Sequence, residues 1–220
     1  MGALSPDRDP SPTFARLAAG PCPPFDELLL ALSAELGAVD RAASLDALDD
    51  HARRLFGARR LGPSGRVERL ASVLDGQPCF RAVDGRADPS AFLLDHVIGT
   101  RRGHPALLAV TGHELARRAG IDANIYSSPC GWFLGCGRER PALIAVGGAG
   151  LEMPRPAVRR HCSHEVAFTV VCGLEHSLTA RGEADAAAHM AALRAHLPVS
   201  PLPGRPGRHA ADDGPARRFS

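Results

Sequence analysis

Thiols and imidazoles are the side chains of this sequence whose positions suggest chemistry. The stretch SSPCGWFLGC, residues 127–136, holds Cys130 and the single Trp in a turn followed by an apolar run. A turn thiol becomes a nucleophile when a base within hydrogen-bond reach takes its proton. His104 and His113, which fall on one predicted helix, would supply that base. Cysteine-dependent acyl transfer or amide hydrolysis through Cys130 is therefore one hypothesis, and a structural turn thiol is its alternative.

A second set of candidate residues lies in RRHCSHE and the apolar run that follows it. On one continuous helix, His161 and His164 share a face. Further along the same helix, Cys172 and His176 form an i,i+4 pair. Imidazole and thiolate are ligands for zinc and copper, which makes metal binding by these four side chains a hypothesis. Their spacing matches no established site and Phe168 lies on the same stripe, so histidines in the core or in solvent are the alternative.

The composition limits the classes of function. The chain has 220 residues and a net charge of +2, which is about one domain without the basic surplus of a nucleic-acid-binding protein. The N-terminus lacks the pattern of a secretory signal, and no apolar run is long enough for a membrane span. Six cysteines show no repeated CxxC spacing. We therefore expect a cytoplasmic protein with free thiols, without a nucleic-acid or membrane partner.

The elements that must position these residues begin with a series of amphipathic helices. Apolar residues recur at helical spacing, and caps and glycines mark the helix ends. The five segments are PFDELLLALSAELG, SLDALDDHARRLFG with Ser44 as N-cap, SGRVERLASVLDG, ADPSAFLLDHVIGTRRG with Asp88 as N-cap, and HPALLAVTGHELARRAG opened by Pro105. The absence of lysine and the abundance of Ala, Gly and Pro are typical of a GC-rich bacterial gene.

After these helices the period of the pattern changes. IDANIYSSP, CGWFLGCG and PALIAVGGAG are short, β-branched or aromatic segments between turn residues, which predicts a small antiparallel sheet. The sequence then returns to helix through AVRRHCSHEVAFTVVCGLEHSLTAR, breaks at Gly182 and resumes to Pro198. Two helices joined by one glycine predict an antiparallel hairpin. The expected fold class is α+β.

This order of elements predicts four regions. Residues 1–23 and 199–220 are poor in apolar residues and are expected to be disordered tails. Residues 24–154 form the main domain, and residues 155–198 form a helical hairpin packed on it.

Three motifs carry a resemblance to a known family. They are TRRGHPALLAVTGHELARRAGI at 100–121, SPCGWFL at 128–134 and LIAVGGAG at 143–150. Together with the order of the helices, they resemble the SirB-type proteins, in which a transglutaminase-like core precedes tetratricopeptide-like helices. The resemblance extends from about residue 25 to residue 200. It implies a papain-like core in which a helix packs on a small antiparallel sheet, and a C-terminal pair of tetratricopeptide-like helices.

The resemblance also implies where catalytic residues would lie. Active transglutaminase-like enzymes place a Cys at a helix N-terminus and a His and an Asp on neighbouring strands. By alignment with the motifs, those positions hold Pro105, Trp132 and Ala145 in this sequence. SirB-type proteins generally lack the thiol as well. We therefore expect a catalytically inactive protein without a cofactor, which binds another protein in a regulatory role.

Overall fold

We describe the fold from a computed structural model, which describes residues 8–76, 79–84, 88–137, 141–147 and 158–199. The helices are α1 (Pro12–Ala19), α2 (Phe25–Ala34), α3 (Arg41–Ala52), α4 (Pro63–Asp75), α5 (Leu94–Thr100), α6 (Pro105–Arg118), α7 (Ser163–Ala180) and α8 (Ala184–Ala195). Short 3-10 helices span Arg53–Leu55, Ala58–Arg60 and Pro89–Phe92. No helix within these ranges is long and apolar enough to cross a membrane.

The strands form two sheets. Short strands β1 (Arg81–Ala82) and β2 (Arg102–Gly103) pair in parallel. A four-stranded antiparallel sheet has the order β5 (Ala142–Ala145), β4 (Gly131–Cys136), β3 (Ala123–Ser128) and β6 (Arg159–Arg160). Helices on a small antiparallel sheet confirm the predicted α+β class.

Helix α6 lies at the centre of the molecule, as its composition predicts. Pro105 occupies the first turn, where a missing N–H costs nothing, and ten of its residues are buried. Gly112 of α6 lies against Leu134 of β4, close enough that a Cβ at this position would overlap the Leu134 side chain. Trp132 lies two residues before Leu134 along β4, and residues two apart in a strand share a face. Both side chains therefore lie on the face of the sheet that is covered by α6.

The N-terminal tail prediction is wrong for residues 12–19, which form α1. Ser11 caps this helix by accepting a hydrogen bond from the Phe14 N–H, and Phe14 is fully buried. The prediction failed because it was based on the many Pro and Ser residues of this segment. The apolar residues at helical spacing, Phe14, Leu17 and Ala18, cover only about one turn. Residues 1–7 and 200–220 lie outside the described residues.

Two predicted helix starts are corrected. The N-cap of α3 is Asp40, whose carboxylate accepts the Ala43 N–H, whereas Ser44 lies inside the helix and donates to the Asp40 carbonyl. Asp88 is a cap as predicted, but it caps the 3-10 helix Pro89–Phe92, after which α5 starts anew at Leu94. A cap residue fixes a helix start only when its own backbone leaves the helical region.

The C-terminal hairpin is present, but α7 begins six residues later than the predicted helix. Arg159 and Arg160 pair with β3 as a fourth strand, and Cys162 is the N-cap of α7. Gly182, at a φ of 74°, makes the turn into α8. Buried side chains of α7 and α8 belong to the same core cluster as those of α2, α6 and the sheet.

Candidate functional site

The three positions that the resemblance assigns to catalysis carry no nucleophile, no imidazole and no carboxylate. Pro105 opens α6, and Trp132 lies on the α6 face of β4. Ala145 pairs with Phe133, so it lies on the opposite face of the sheet, away from Trp132. The neighbour of Trp132 across the strands is Val146, whose N–H donates to the Trp132 carbonyl. The structure thus places Val146 beside Trp132, and Ala145, the position that the resemblance assigns to the orienting carboxylate, on the other face.

An imidazole nevertheless lies beside Trp132. The His161 ring lies 5.0 Å from the Trp132 ring, centroid to centroid. His161 follows β6, and its backbone N–H donates to the Ile125 carbonyl, which fixes the ring next to β3. His161 Nε2 lies 2.6 Å from the hydroxyl oxygen of Ser127, the residue that pairs with Trp132.

A carboxylate lies on the other side of the same ring. His161 Nδ1 is 3.7 Å from Glu165 Oε2, and both side chains are 9% exposed. Glu165 is held by the Arg159 guanidinium and by the backbone N–H of Cys162. Burial lowers the pKa of His161, while Glu165 opposes that shift, so the imidazole is neutral near pH 7. Ser127, His161 and Glu165 thus form a hydroxyl, imidazole and carboxylate series.

The sequence pattern gave no indication of this series. His161 was assigned to a helix, where it would have pointed along the α7 stripe. The pairing of residues 159–160 with β3 turns the ring toward Ser127, and this long-range contact has no local signal in the sequence.

Cys130 is exposed in the turn between β3 and β4, where its backbone N–H donates to the Ser128 hydroxyl. His113 is not its base, because His113 Nδ1 lies 2.8 Å from the carbonyl of Ala123, at the opposite end of β3. A strand of six residues separates them, roughly 17 Å at 3.3 Å per residue.

His104 is engaged elsewhere as well. Its Nδ1 accepts the Ala106 N–H as the N-cap of α6, and its ring stacks on Phe92 at 4.6 Å. Burial lowers the pKa of His104 to about 4. In the described part of the chain, no hydrogen bond joins either imidazole to the Cys130 thiol.

The predicted metal stripe is not assembled. His161 lies outside α7 and faces Ser127, and His176 is exposed on the surface of the helix. Within the described ranges, neither Cys172 nor His176 lies in a cluster of three potential metal ligands. Of the four residues, only His164 belongs to a candidate metal cluster. The prediction failed because it treated 159–162 as helix.

His164 belongs to a different cluster, with Cys162 and Cys22. One ligand atom from each of these residues lies within 4.8 Å of the other two. Cys22 comes from the loop between α1 and α2, while Cys162 and His164 begin α7. Burial raises the pKa of the Cys162 thiol to about 12. Sequence spacing gave no signal for this cluster, since Cys22 lies about 140 residues before Cys162 and His164.

A basic and apolar surface lies over the two 3-10 helices that follow α3. We call residues Arg53–Leu61 the arginine-rich turn. Phe56 is 93% exposed and Leu61 is 43% exposed, and no other large apolar side chain in the described ranges is as open to solvent. Four exposed arginines flank them: Arg53, Arg54, Arg59 and Arg60.

Comparison with known proteins identifies the domain. The model of a family described as the transglutaminase-like superfamily matches residues 40–172, which is more than half of the chain and extends into α7. No curated protein and no solved structure matches significantly.

Proposed function

Because this chain belongs to the transglutaminase-like superfamily, we propose that it is a SirB-type member that lacks thiol chemistry and binds another protein in a regulatory role. One observation carries the proposal: the N-terminus of α6 holds His104 and Pro105 where a catalytic thiol would lie. Trp132 and Val146 place apolar groups at the two supporting positions. The cysteines are all free, which supports a reducing compartment such as the cytoplasm.

The arginine-rich turn is the surface that best supports binding. A fully exposed Phe costs solvation free energy that burial against a partner would recover, and aromatic and Arg side chains dominate the energetics of protein interfaces. Arg53 is paired with Asp50, whereas Arg54, Arg59 and Arg60 form no ion pair with a described carboxylate. The partner is therefore an acidic protein surface with an apolar pocket for Phe56.

Photo-cross-linking in cells of the source organism tests this surface. A photoreactive phenylalanine analogue at Phe56 is expected to capture one discrete acidic protein, and the capture is expected to fall at least tenfold when Arg59 and Arg60 are changed to Glu. The matched control is the same analogue at Thr179, which is exposed on α7. Equal capture from both positions, or none from position 56, would contradict the proposed surface.

A second candidate function is favoured by the Ser127, His161 and Glu165 series. The neutral His161 would take the Ser127 proton on Nε2 while Ser127 Oγ forms an ester with an acyl substrate. The proton then passes to the departing alcohol or amine, and water hydrolyses the acyl-enzyme to a carboxylic acid and free Ser127. Protonated His161 would be stabilised by Glu165, 3.7 Å from Nδ1.

A fluorophosphonate, which phosphonylates activated serines, separates the two functions. The binding proposal expects no stoichiometric adduct on the wild-type protein. The hydrolase candidate expects an adduct that disappears in Ser127→Ala and persists in Ser128→Ala, whose hydroxyl lies on the opposite face of β3. An adduct on Cys130 with an activated ester would instead support cysteine-dependent acyl transfer.

A further inference from the structure

The two thiols and the imidazole near the start of α7 form a cluster that neither proposed function uses. Cys22, Cys162 and His164 each offer one ligand atom, and these atoms lie within 4.8 Å of one another. In tetrahedral zinc sites, metal–sulfur bonds of about 2.3 Å and metal–nitrogen bonds of about 2.0 Å place neighbouring ligand atoms roughly 3.5–4 Å apart. The cluster needs only a small contraction to reach that geometry.

We propose that Cys22, Cys162 and His164 bind one Zn²⁺ ion and leave its fourth coordination position open to solvent. Two thiolates and one imidazole are a ligand set that zinc takes at sites with one open position. The softness of the two sulfurs disfavours Mg²⁺ and Ca²⁺, which select oxygen ligands.

The surroundings of the cluster support two of its three ligands, His164 and Cys162. His164 Nε2 lies 3.4 Å from the Leu17 carbonyl oxygen, a backbone acceptor of the type that orients metal-binding imidazoles and directs the ligand role to Nδ1. Cys162 Sγ accepts the Glu165 backbone N–H at the N-terminus of α7. The N–H donor and the helix dipole act in favour of a thiolate, and a bound cation would offset the burial that raises the pKa of this thiol.

The different exposure of the three ligands indicates where a metal ion would enter and where its open coordination position would lie. Cys22 is exposed, Cys162 is half-buried and His164 is buried. A metal ion would therefore enter from the side of Cys22, and solvent or a small ligand would complete the coordination there. A bound ion would join the loop before α2 to the start of α7, two segments that are distant in sequence.

Cobalt titration of the reduced, metal-free, full-length protein tests the site. Co²⁺ reports tetrahedral sulfur coordination directly, through thiolate-to-metal charge-transfer absorption and intense visible bands. The expected result is saturation at one equivalent and loss of the bands when Zn²⁺ displaces the cobalt. Cys22→Ser is the key variant, because an exposed residue is changed without disturbing the core, and it is expected to weaken binding at least tenfold. The matched control, Cys130→Ser, changes another exposed thiol and is expected to bind as the wild type does.

Three results would overturn the zinc site. One is the absence of saturable charge-transfer absorption in the wild-type protein. Another is equal cobalt affinity in Cys22→Ser and wild type. The third has two parts: the purified protein contains a Cys22–Cys162 disulfide, and after reduction it binds no cobalt. The two cysteines would then form a redox cross-link. His164→Ala, where it folds, is expected to shift the visible bands while retaining the charge-transfer absorption from sulfur.

Discussion

His104 has a structural role at the start of α6. It occupies the position before Pro105 and uses its ring to cap α6 and to stack on Phe92. The Nδ1 atom must remain an acceptor for the Ala106 N–H, so the ring has to be neutral. A proton on that nitrogen would place a positive charge at a helix N-terminus, where the dipole disfavours it. His104 thus makes folding sensitive to acid.

We expect His104→Asn to reduce the acid sensitivity of the protein. The pKa of His104 is about 4 in the folded state, below the ordinary value of 6.5. The unfolded chain binds the proton first as the pH falls, so the contribution of this group to stability is complete above pH 6.5 and is lost as the pH falls toward 4. The difference of roughly 2.5 pKa units corresponds to ~3 kcal/mol.

Urea unfolding of wild type and variant at neutral and acidic pH measures this effect. Asn retains an oxygen that accepts the Ala106 N–H, so the variant tests protonation separately from capping. The free energy of unfolding of the wild type is expected to fall by ~3 kcal/mol more than that of the variant between pH 7 and pH 4. Parallel pH profiles would show that His104 is not the acid-sensitive group.

At the scale of elements, charge fixes the far end of α6. Arg117 and Arg118 lie in the last turn of α6, and Arg118, which is only 13% exposed, contacts Asp26, Asp49 and Glu114. Asp26 and Glu114 are themselves buried, so each depends on the guanidinium for compensation. This network joins α6 to α2 and α3.

Helix α1 is a second element whose importance comes from packing. We expect Phe14→Ala to lower the free energy of unfolding by about 3–5 kcal/mol, because Phe14 is completely buried and its removal leaves a cavity. The matched control is Phe56→Ala, which removes a 93% exposed ring and is expected to change stability by less than about 0.5 kcal/mol. Chemical denaturation measures both. Equal small effects would restore the interpretation of residues 12–19 as a tail.

At the scale of the whole molecule, the C-terminal hairpin and the transglutaminase-like core share one packed interior. Gly173 of α7 lies against the ring of Phe92, which in turn stacks on His104 at the start of α6. The family match extends to residue 172, across the boundary predicted between residues 154 and 155. The helices of the hairpin therefore contribute buried side chains to the same core as the rest of the chain.

Gly173→Ala tests this continuity. A Cβ at residue 173 would overlap the rigid Phe92 ring, so we expect a loss of about 1–3 kcal/mol in the free energy of unfolding. The ring stacking on His104 should also change, which nuclear magnetic resonance of the His104 ring protons would report. Gly99→Ala is the control, since Gly99 lies in exposed helix with no atom near its absent Cβ. A Gly173→Ala protein as stable as the control would contradict close packing between α7 and the core.

The sequence by itself determined the elements whose signals are local. Three features are examples: the capped helix that begins at Pro105, the three central strands and the turn at Gly182. Each is predicted by hydrophobic periodicity, by a cap residue or by a glycine, and these signals act within a few residues. The sequence also shows directly that the start of α6 has no thiol, because this depends on residue identity alone.

Only the tertiary structure decided which side chains meet. Strand pairing of residues 159–160 turns His161 toward Ser127, and the return of the chain to α7 brings Cys162 and His164 to Cys22. In the register of β4 and β5, Ala145 pairs with Phe133, and Val146 is therefore the residue beside Trp132. These relations depend on long-range packing and on a one-residue choice of register, for which no local pattern carries a signal.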